Sequence, residues 1–289
     1  MFAHVDIPLR STARPRARAL GQPEPCSHIR VDRVTSQAGL DGSVALITGA
    51  SSGIGAATAR LLAGEGVAVA LAARRIDRLK DLAEEIGSAG GRALPVEADV
   101  TSRADAESAV ERAVTEFGRL DILVNNAGVM LLGPILDAPV EEWERMIRLN
   151  VLGLLYCSKA AVPHLLQAAE QGPRGVADLV NISSVAGRQV RLGSGVYNAS
   201  KHAVGAFSES LRQEVTARNL RVSLVEPGAV DTELPTHNRE EIREGLDERF
   251  ADMERLEDHD VADAIRYIVS RPRRVSINEI LIRPTDQAN

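Results

Sequence analysis

Ala45-Leu46-Ile47-Thr48-Gly49-Ala50-Ser51-Ser52-Gly53-Ile54-Gly55-Ala56-Ala57-Thr58-Ala59-Arg60-Leu61 is the stretch that decides the fold. Its first residues close a short apolar run, its middle carries three glycines, and its end repeats small and apolar residues at helical spacing. A strand, a tight turn and a helix follow one another directly. Glycines at such a turn let the backbone approach a pyrophosphate, which then lies at the positive, N–H-donating end of the helix. A tight βα turn without a ligand explains one glycine, not three in this setting. Gly49, Ser51, Ser52, Gly53, Ile54 and Gly55 are therefore candidate cofactor contacts.

Outward from this turn, short apolar runs alternate with amphipathic stretches from Ser43 onward. The pattern predicts strands near 44–48, 67–72, 93–97, 122–125, 176–182, 222–226 and 279–282, and helices at 53–63, 77–88, 103–117, 140–169, 196–217 and 261–269. Parallel neighbours need right-handed crossovers with helices on both faces, so the expected fold is α/β: a Rossmann-type doubly wound parallel sheet in a three-layer sandwich. One domain is expected over residues 41–289, behind a disordered N-terminal extension of residues 1–40. The charged stretch 239–263 reads as a solvated helical surface near a substrate lid.

Composition narrows the function. The 289 residues carry a formal charge of −6, with 44% hydrophobic and 26% charged residues. That balance offers no electrostatic footprint for nucleic acid or an anionic membrane. Cys26 and Cys157 are too few and too far apart for a disulfide framework, and no apolar run in the first 37 residues suits a signal or membrane segment, so a cytoplasmic location is expected. His164, His202, His237 and His259 lack metal-ligand spacing and read as surface or packing residues, so no metal site is expected.

The second strand ends in Ala73-Arg74-Arg75, where an NAD-selective Rossmann protein places a carboxylate for the ribose hydroxyls. A guanidinium there instead makes charge-assisted bonds to the 2'-phosphate of NADP. NADP(H) is the expected cofactor, with Arg74 the leading contact and Arg75 the second; the simpler alternative is that both begin a solvated helix.

Later come Asn181-Ile182-Ser183-Ser184 at a strand end and Tyr197-Asn198-Ala199-Ser200-Lys201 on a helix. Tyr197 and Lys201 are four apart, so they share one helix face and their polar ends can converge. A carbonyl that accepts hydride becomes an alkoxide and needs a positioned proton donor. An adjacent ammonium favours the phenolate and is expected to lower the tyrosine pKa from its ordinary value of about 10.

These motifs together resemble the short-chain dehydrogenases/reductases. The glycine turn is similar to the family's T-G-x-x-x-G-x-G, and Ser184 stands 13 positions (197 − 184) before Tyr197, the family's spacing. The branch it looks nearest is that of clavulanate dehydrogenase and 3-hydroxy acid dehydrogenase, on the ending Asn278 to Thr285. The resemblance implies an Asn-Ser-Tyr-Lys tetrad of Asn150, Ser184, Tyr197 and Lys201. In it Tyr197 is acid for reduction and base for oxidation, Ser184 holds the substrate oxygen, Lys201 bonds the nicotinamide ribose, and Asn150 supports a water-linked proton route to Lys201. It also implies cofactor contacts at Asp99, Val100, Asn126, Ala127, Gly128, Pro227, Gly228, Val230 and Thr232.

The implied activity is NADP(H)-dependent interconversion of an alcohol and a carbonyl: a small or medium aldehyde, ketone, or 3-oxo or β-hydroxy acid. Pocket walls are expected from 129–136, 185–194 and 234–250, with Met130, Leu131, Leu132 and Val190 making them partly apolar. A homotetramer, or a dimer, is expected through the helices carrying Tyr156 and Phe207. The rival reading is a non-catalytic NADP-binding sensor or scaffold of the same fold.

Overall fold

A computed structural model describes residues 39–288; residues 1–38, most of the expected N-terminal extension, lie outside the described residues. Among the described residues there are seven strands: β1 (Val44–Thr48), β2 (Ala68–Ala73), β3 (Arg92–Glu97), β4 (Ile122–Asn125), β5 (Ala177–Ile182), β6 (Leu220–Pro227) and β7 (Glu279–Ile282). They form one parallel sheet in the order β3-β2-β1-β4-β5-β6-β7. The expected doubly wound fold is the one observed.

Alternation along the strands explains the three layers. Val44 and Leu46 enter one core with Leu123, Leu179 and Val222, while Ala45 and Ile47 enter the other with Ile122, Val124, Val180 and Val225. A strand buried on both faces must be apolar throughout, which is why β1 reads as a continuous run. Helices α3 (Arg103–Phe117), α5 (Leu154–Gln171) and α6 (Gly195–Val215) cover the first core. Helices α1 (Gly53–Gly64), α2 (Ile76–Ser88) and α8 (Asp258–Val269) cover the second.

The winding reverses at β1, which pairs with β2 on one side and β4 on the other. Crossovers leave in opposite directions there and open a crevice beyond the carboxyl ends of the two strands, where open α/β sheets bind their ligands. The glycine turn begins at that end of β1.

Three departures from the expected elements have local causes. The long helix expected over 140–169 is three pieces: α4 (Val140–Met146), a π-helical segment (Ile147–Gly153) and α5. The wide turns of the π segment surround Asn150, whose buried amide bonds outside its own helix. Helix α8 starts at Asp258 rather than Val261 because Glu257 and Asp260 form a reciprocal capping box. The charged stretch contains a further helix, α7 (Glu240–Phe250), in which Leu246 is the buried residue, in keeping with a mostly solvated surface.

The continuous stretch Val140–Gln171 is long and apolar enough by composition to cross a membrane. Here its inward face, including Cys157, Ala161 and Leu165, is built into the first core. Burial pushes the Cys157 thiol up to about 12, which leaves it protonated and unreactive.

Candidate active site

A cavity of about 380 Å³ opens at the carboxyl ends of the strands. Its floor is the glycine turn. Gly49 (φ +66°) and Gly53 (φ +51°) adopt left-handed backbone conformations that side chains disfavour. Gly55 is required by contact: a Cβ there would sit 2.5 Å from the Gly49 carbonyl oxygen, so the third glycine lets helix α1 close against the turn rather than line the cavity. Ser51, Ser52, Gly53 and Ile54 do line it.

The turn is fastened to β4 by Thr48 and Asn126. Thr48 Oγ1 accepts from the backbone N–H groups of Asn126 (3.0 Å) and Ala127 (3.1 Å). Asn126 Nδ2 donates to the carbonyls of Thr48 (3.0 Å) and Gly49 (3.2 Å). One residue earlier, at the end of β4, Asn125 Nδ2 donates to Ser158 Oγ and Asn181 Oδ1, each at 2.9 Å, and Asn181 Nδ2 donates to Ser208 Oγ at 2.9 Å. This buried amide ladder joins β4 and β5 to the helices below and holds the strand ends in register.

Arg74 and Arg75 both line the cavity, but Arg75 makes the contacts to the turn. Its guanidinium donates to Ser51 Oγ (2.9 Å), Ser52 Oγ (2.7 Å) and Glu233 (2.8 Å). Arg78 reaches the other oxygen of Glu233 at 2.6 Å. Bonds from Arg78 and Arg75 hold the Glu233 carboxyl down at about 2. Both expected arginines thus reach the cavity, and Arg75 is the one bonded to the turn. Asp99 caps the turn after β3, accepting from Thr101 N (3.0 Å) and Thr101 Oγ1 (2.8 Å), and with Val100, Ala127 and Gly128 it forms another part of the lining.

Ser184, Tyr197 and Lys201 line the same cavity. Tyr197 and Ser184 are buried, and Ser184 Oγ accepts from Ala186 N at 3.1 Å and lies 3.5 Å from the Pro227 carbonyl oxygen. Lys201 Nζ lies 5.9 Å from the centre of the Tyr197 ring and donates to the Ile182 carbonyl at 2.9 Å. Burial pushes the Tyr197 phenol up to about 12, and the Ser184 bond opposes that only in part. Burial brings the Lys201 ammonium down to about 8. The expectation that the ammonium lowers the phenol pKa is therefore not met: burial governs the shift, opposed only by hydrogen bonding with Ser184.

Asn150 does not line the cavity. It stands behind it, bonded to the backbone of Val129 and, through Nδ2, to Ser200 Oγ at 3.1 Å. Ser200 Oγ in turn donates to the Tyr197 carbonyl at 2.8 Å, so Asn150 connects the segment after β4 to the helix that carries Tyr197.

Pro227, Gly228, Val230 and Thr232 form the wall after β6. Thr232 packs on the turn, its Cγ2 3.2 Å from where a Cβ on Gly53 would stand, and a Cβ on Gly228 would collide with the side chain of Gln287. All three expected wall segments contribute, with Met130 and Leu132 among them. Leu131 and Val190 do not: Leu131 is buried in a small adjoining cluster, and Val190 is 76% exposed. His237, read as a surface or packing residue, lines the cavity.

Two asparagines escaped the sequence reading. Asn198 Nδ2 donates to the carbonyls of Ala186 (2.8 Å) and Gln189 (2.7 Å), and Asn238 Oδ1 accepts from Leu132 N (2.7 Å). They shape loops through backbone groups, and the adjacency of Asn198 to Tyr197 was the one available clue. Gln287, near the end of the chain, accepts from Ala229 N at 2.9 Å and gave no such clue.

The sequence matches the profile of the short chain dehydrogenase family over residues 43–243. It is 42% identical over 250 residues, 86% of this chain, to glycine betaine reductase of Emericella nidulans, but spans only 19% of that protein's length. It is 36% identical to an uncharacterized oxidoreductase of Staphylococcus aureus over 85% of this chain and 98% of that one. Among solved structures it is similar to the closed form of serine dehydrogenase complexed with NADP+, at 32% identity and a TM-score of 0.77 over 85% of this chain and 96% of that one. It is likewise similar to a short chain dehydrogenase/reductase from Burkholderia phymatum in complex with NAD, at 28% identity and a TM-score of 0.74 over 84% and 89% of the two chains. With its sheet order, its glycine turn and the family match over most of the folded chain, this protein belongs to the short chain dehydrogenase family.

Proposed function

We propose that this chain is an NADP(H)-dependent oxidoreductase that interconverts a carbonyl and an alcohol, with Tyr197 as the proton donor in reduction and acceptor in oxidation. The observation that carries the reading is that the buried Tyr197 phenol shares one cavity with Ser184, Lys201 and the glycine turn, with Lys201 Nζ 5.9 Å from the centre of its ring. The turn suits a dinucleotide because Gly49 and Gly53 bring left-handed backbone to the cavity lining, and because Arg75 and the two serine hydroxyls add donors able to bind phosphate oxygens. When bound, the nicotinamide supplies or accepts the hydride.

The chain's own residues do the rest. Ser184 donates to the substrate oxygen and holds it against the phenol. Tyr197 delivers its proton as negative charge grows on that oxygen. Lys201, still charged below pH 8, stabilises the phenolate that results. Arg75 is the group that favours the 2'-phosphate of NADP over the bare ribose of NAD. Assembly as a homotetramer or dimer belongs to the same reading, and light scattering showing a stable monomer at micromolar concentration would remove that part.

The test is oxidation of NADPH and NADH against a panel of aldehydes and ketones, with Tyr197→Phe as the control. Turnover with NADPH that collapses in the variant supports the assignment. Equal catalytic efficiency with both cofactors refutes the preference, and undiminished activity in the variant refutes the role of Tyr197.

A further inference from the structure

The cavity lining includes arginines, apart from Arg74 and Arg75, that the proposed chemistry does not use. Arg191 lies on the segment leading into α6, Arg249 near the end of α7, and Arg283 directly after β7. Arg191 and Arg249 line the cavity. Arg191 N donates to Asn198 Oδ1 at 3.4 Å, and Asn198 and Tyr197 line the same cavity.

The group has no counter-charge. Arg191 Nη2 and Arg283 Nε are buried with no hydrogen-bond partner. Burial, Arg249 and Arg283, in that order, make the Arg191 guanidinium less basic than usual, and no carboxylate among the described residues offsets them. Arg255, which also lines the cavity, differs in being paired with Asp231 at 3.1 Å. A guanidinium with a buried, unused donor among like charges is costly unless an anion completes it.

We propose that Arg191 and Arg249, backed by Arg283, form a subsite for a carboxylate on the substrate, so that the carbonyl compound reduced here is an oxo acid whose reacting carbon is presented to Tyr197. This rests on the oxidoreductase reading above. Planar guanidinium forks suit a carboxylate, and their charge disfavours a cation.

The experiment compares three aldehydes with the full-length protein and NADPH: 4-oxobutanoate, its neutral isostere 4-methylpentanal, and the cation trimethylammonioacetaldehyde. The anion should exceed the isostere in kcat/KM by at least about tenfold, the cation should be the poorest, and Arg191→Gln and Arg249→Gln should each cut the anion-to-neutral ratio by about tenfold or more. Arg218→Gln, at an exposed pair with Glu170, should leave the ratio unchanged. A ratio near one in the wild type, or the same ratio in both cavity variants, overturns the subsite while leaving the oxidoreductase reading intact.

A second measurement needs no turnover. Succinate should raise the melting temperature of the wild-type protein with NADPH, and neutral succinamide should not; equal shifts overturn the subsite. If no aldehyde is reduced with either nicotinamide, the oxidoreductase reading fails and the melting comparison alone decides whether the anion site exists.

Discussion

The carboxamide of Asn150 grips the backbone of Val129 at both ends, taking the N–H on Oδ1 and giving Nδ2 to the carbonyl, each at 2.8 Å. A side chain here does what a neighbouring strand would do for the segment leaving β4. The π-helical turn is what brings the amide to that place, since its wider spacing swings Asn150 out of the regular ladder.

Replacing Asn150 by Ala strands two buried backbone groups, so the loss should be roughly 2–4 kcal/mol of stability. Denaturant melts read this directly. Asn150→Asp, which keeps the acceptor and loses the donor, should fall between wild type and Ala. An Ala variant as stable as wild type would mean that water replaces the amide.

Tyr197→Phe removes the proton while keeping the ring. Turnover should drop by about 10²–10⁴, as for loss of a general acid, while the Kd for NADPH stays within a few-fold. Steady-state rates and fluorescence titration of NADPH separate the two effects.

Lys201 is a buried cation whose folded pKa, about 8, lies below its ordinary 10.5. Below pH 8 both folded and unfolded chains carry the proton, so the full burial cost is present; between pH 8 and 10.5 the folded chain sheds it first and stability rises with pH. Lys201→Met should therefore be more stable than wild type at pH 7, by roughly 1–3 kcal/mol, and inactive. The gap between their thermal melts should narrow toward pH 10. A Met variant less stable than wild type at pH 7 would show that the bond to the Ile182 carbonyl outweighs desolvation.

The pH profile follows from the raised phenol. Reduction uses the protonated form and should lose nothing to Tyr197 ionisation as pH falls from 8 to 6. Alcohol oxidation needs the phenol to surrender its proton and should quicken as pH rises, because burial holds the proton on. Initial rates in both directions across that range test the sign.

Glu233 occupies a donor of Arg75 that a 2'-phosphate would need. Glu233→Gln should tighten NADPH binding by a few-fold with little effect on NADH, and Arg75→Gln should weaken NADPH by about tenfold or more. Isothermal titration with both cofactors measures this. An effect of equal size on NADH would place Arg75 at the shared pyrophosphate instead.

The layers, the strand order and the convergence of Tyr197 with Lys201 were legible in the sequence because each depends on a short-range period. Alternation assigns Leu46 and Ile47 to opposite cores, and four residues on a helix return to one face. What only the tertiary structure decided depends on burial and on residues brought together across crossovers. It set the direction of the Tyr197 shift, chose Arg75 over Arg74 at the turn, bent the chain around Asn150, and gathered Arg191, Arg249 and Arg283 without a counter-charge. Desolvation and long-range electrostatics have no period along a chain, so they take their values only when distant segments share a surface.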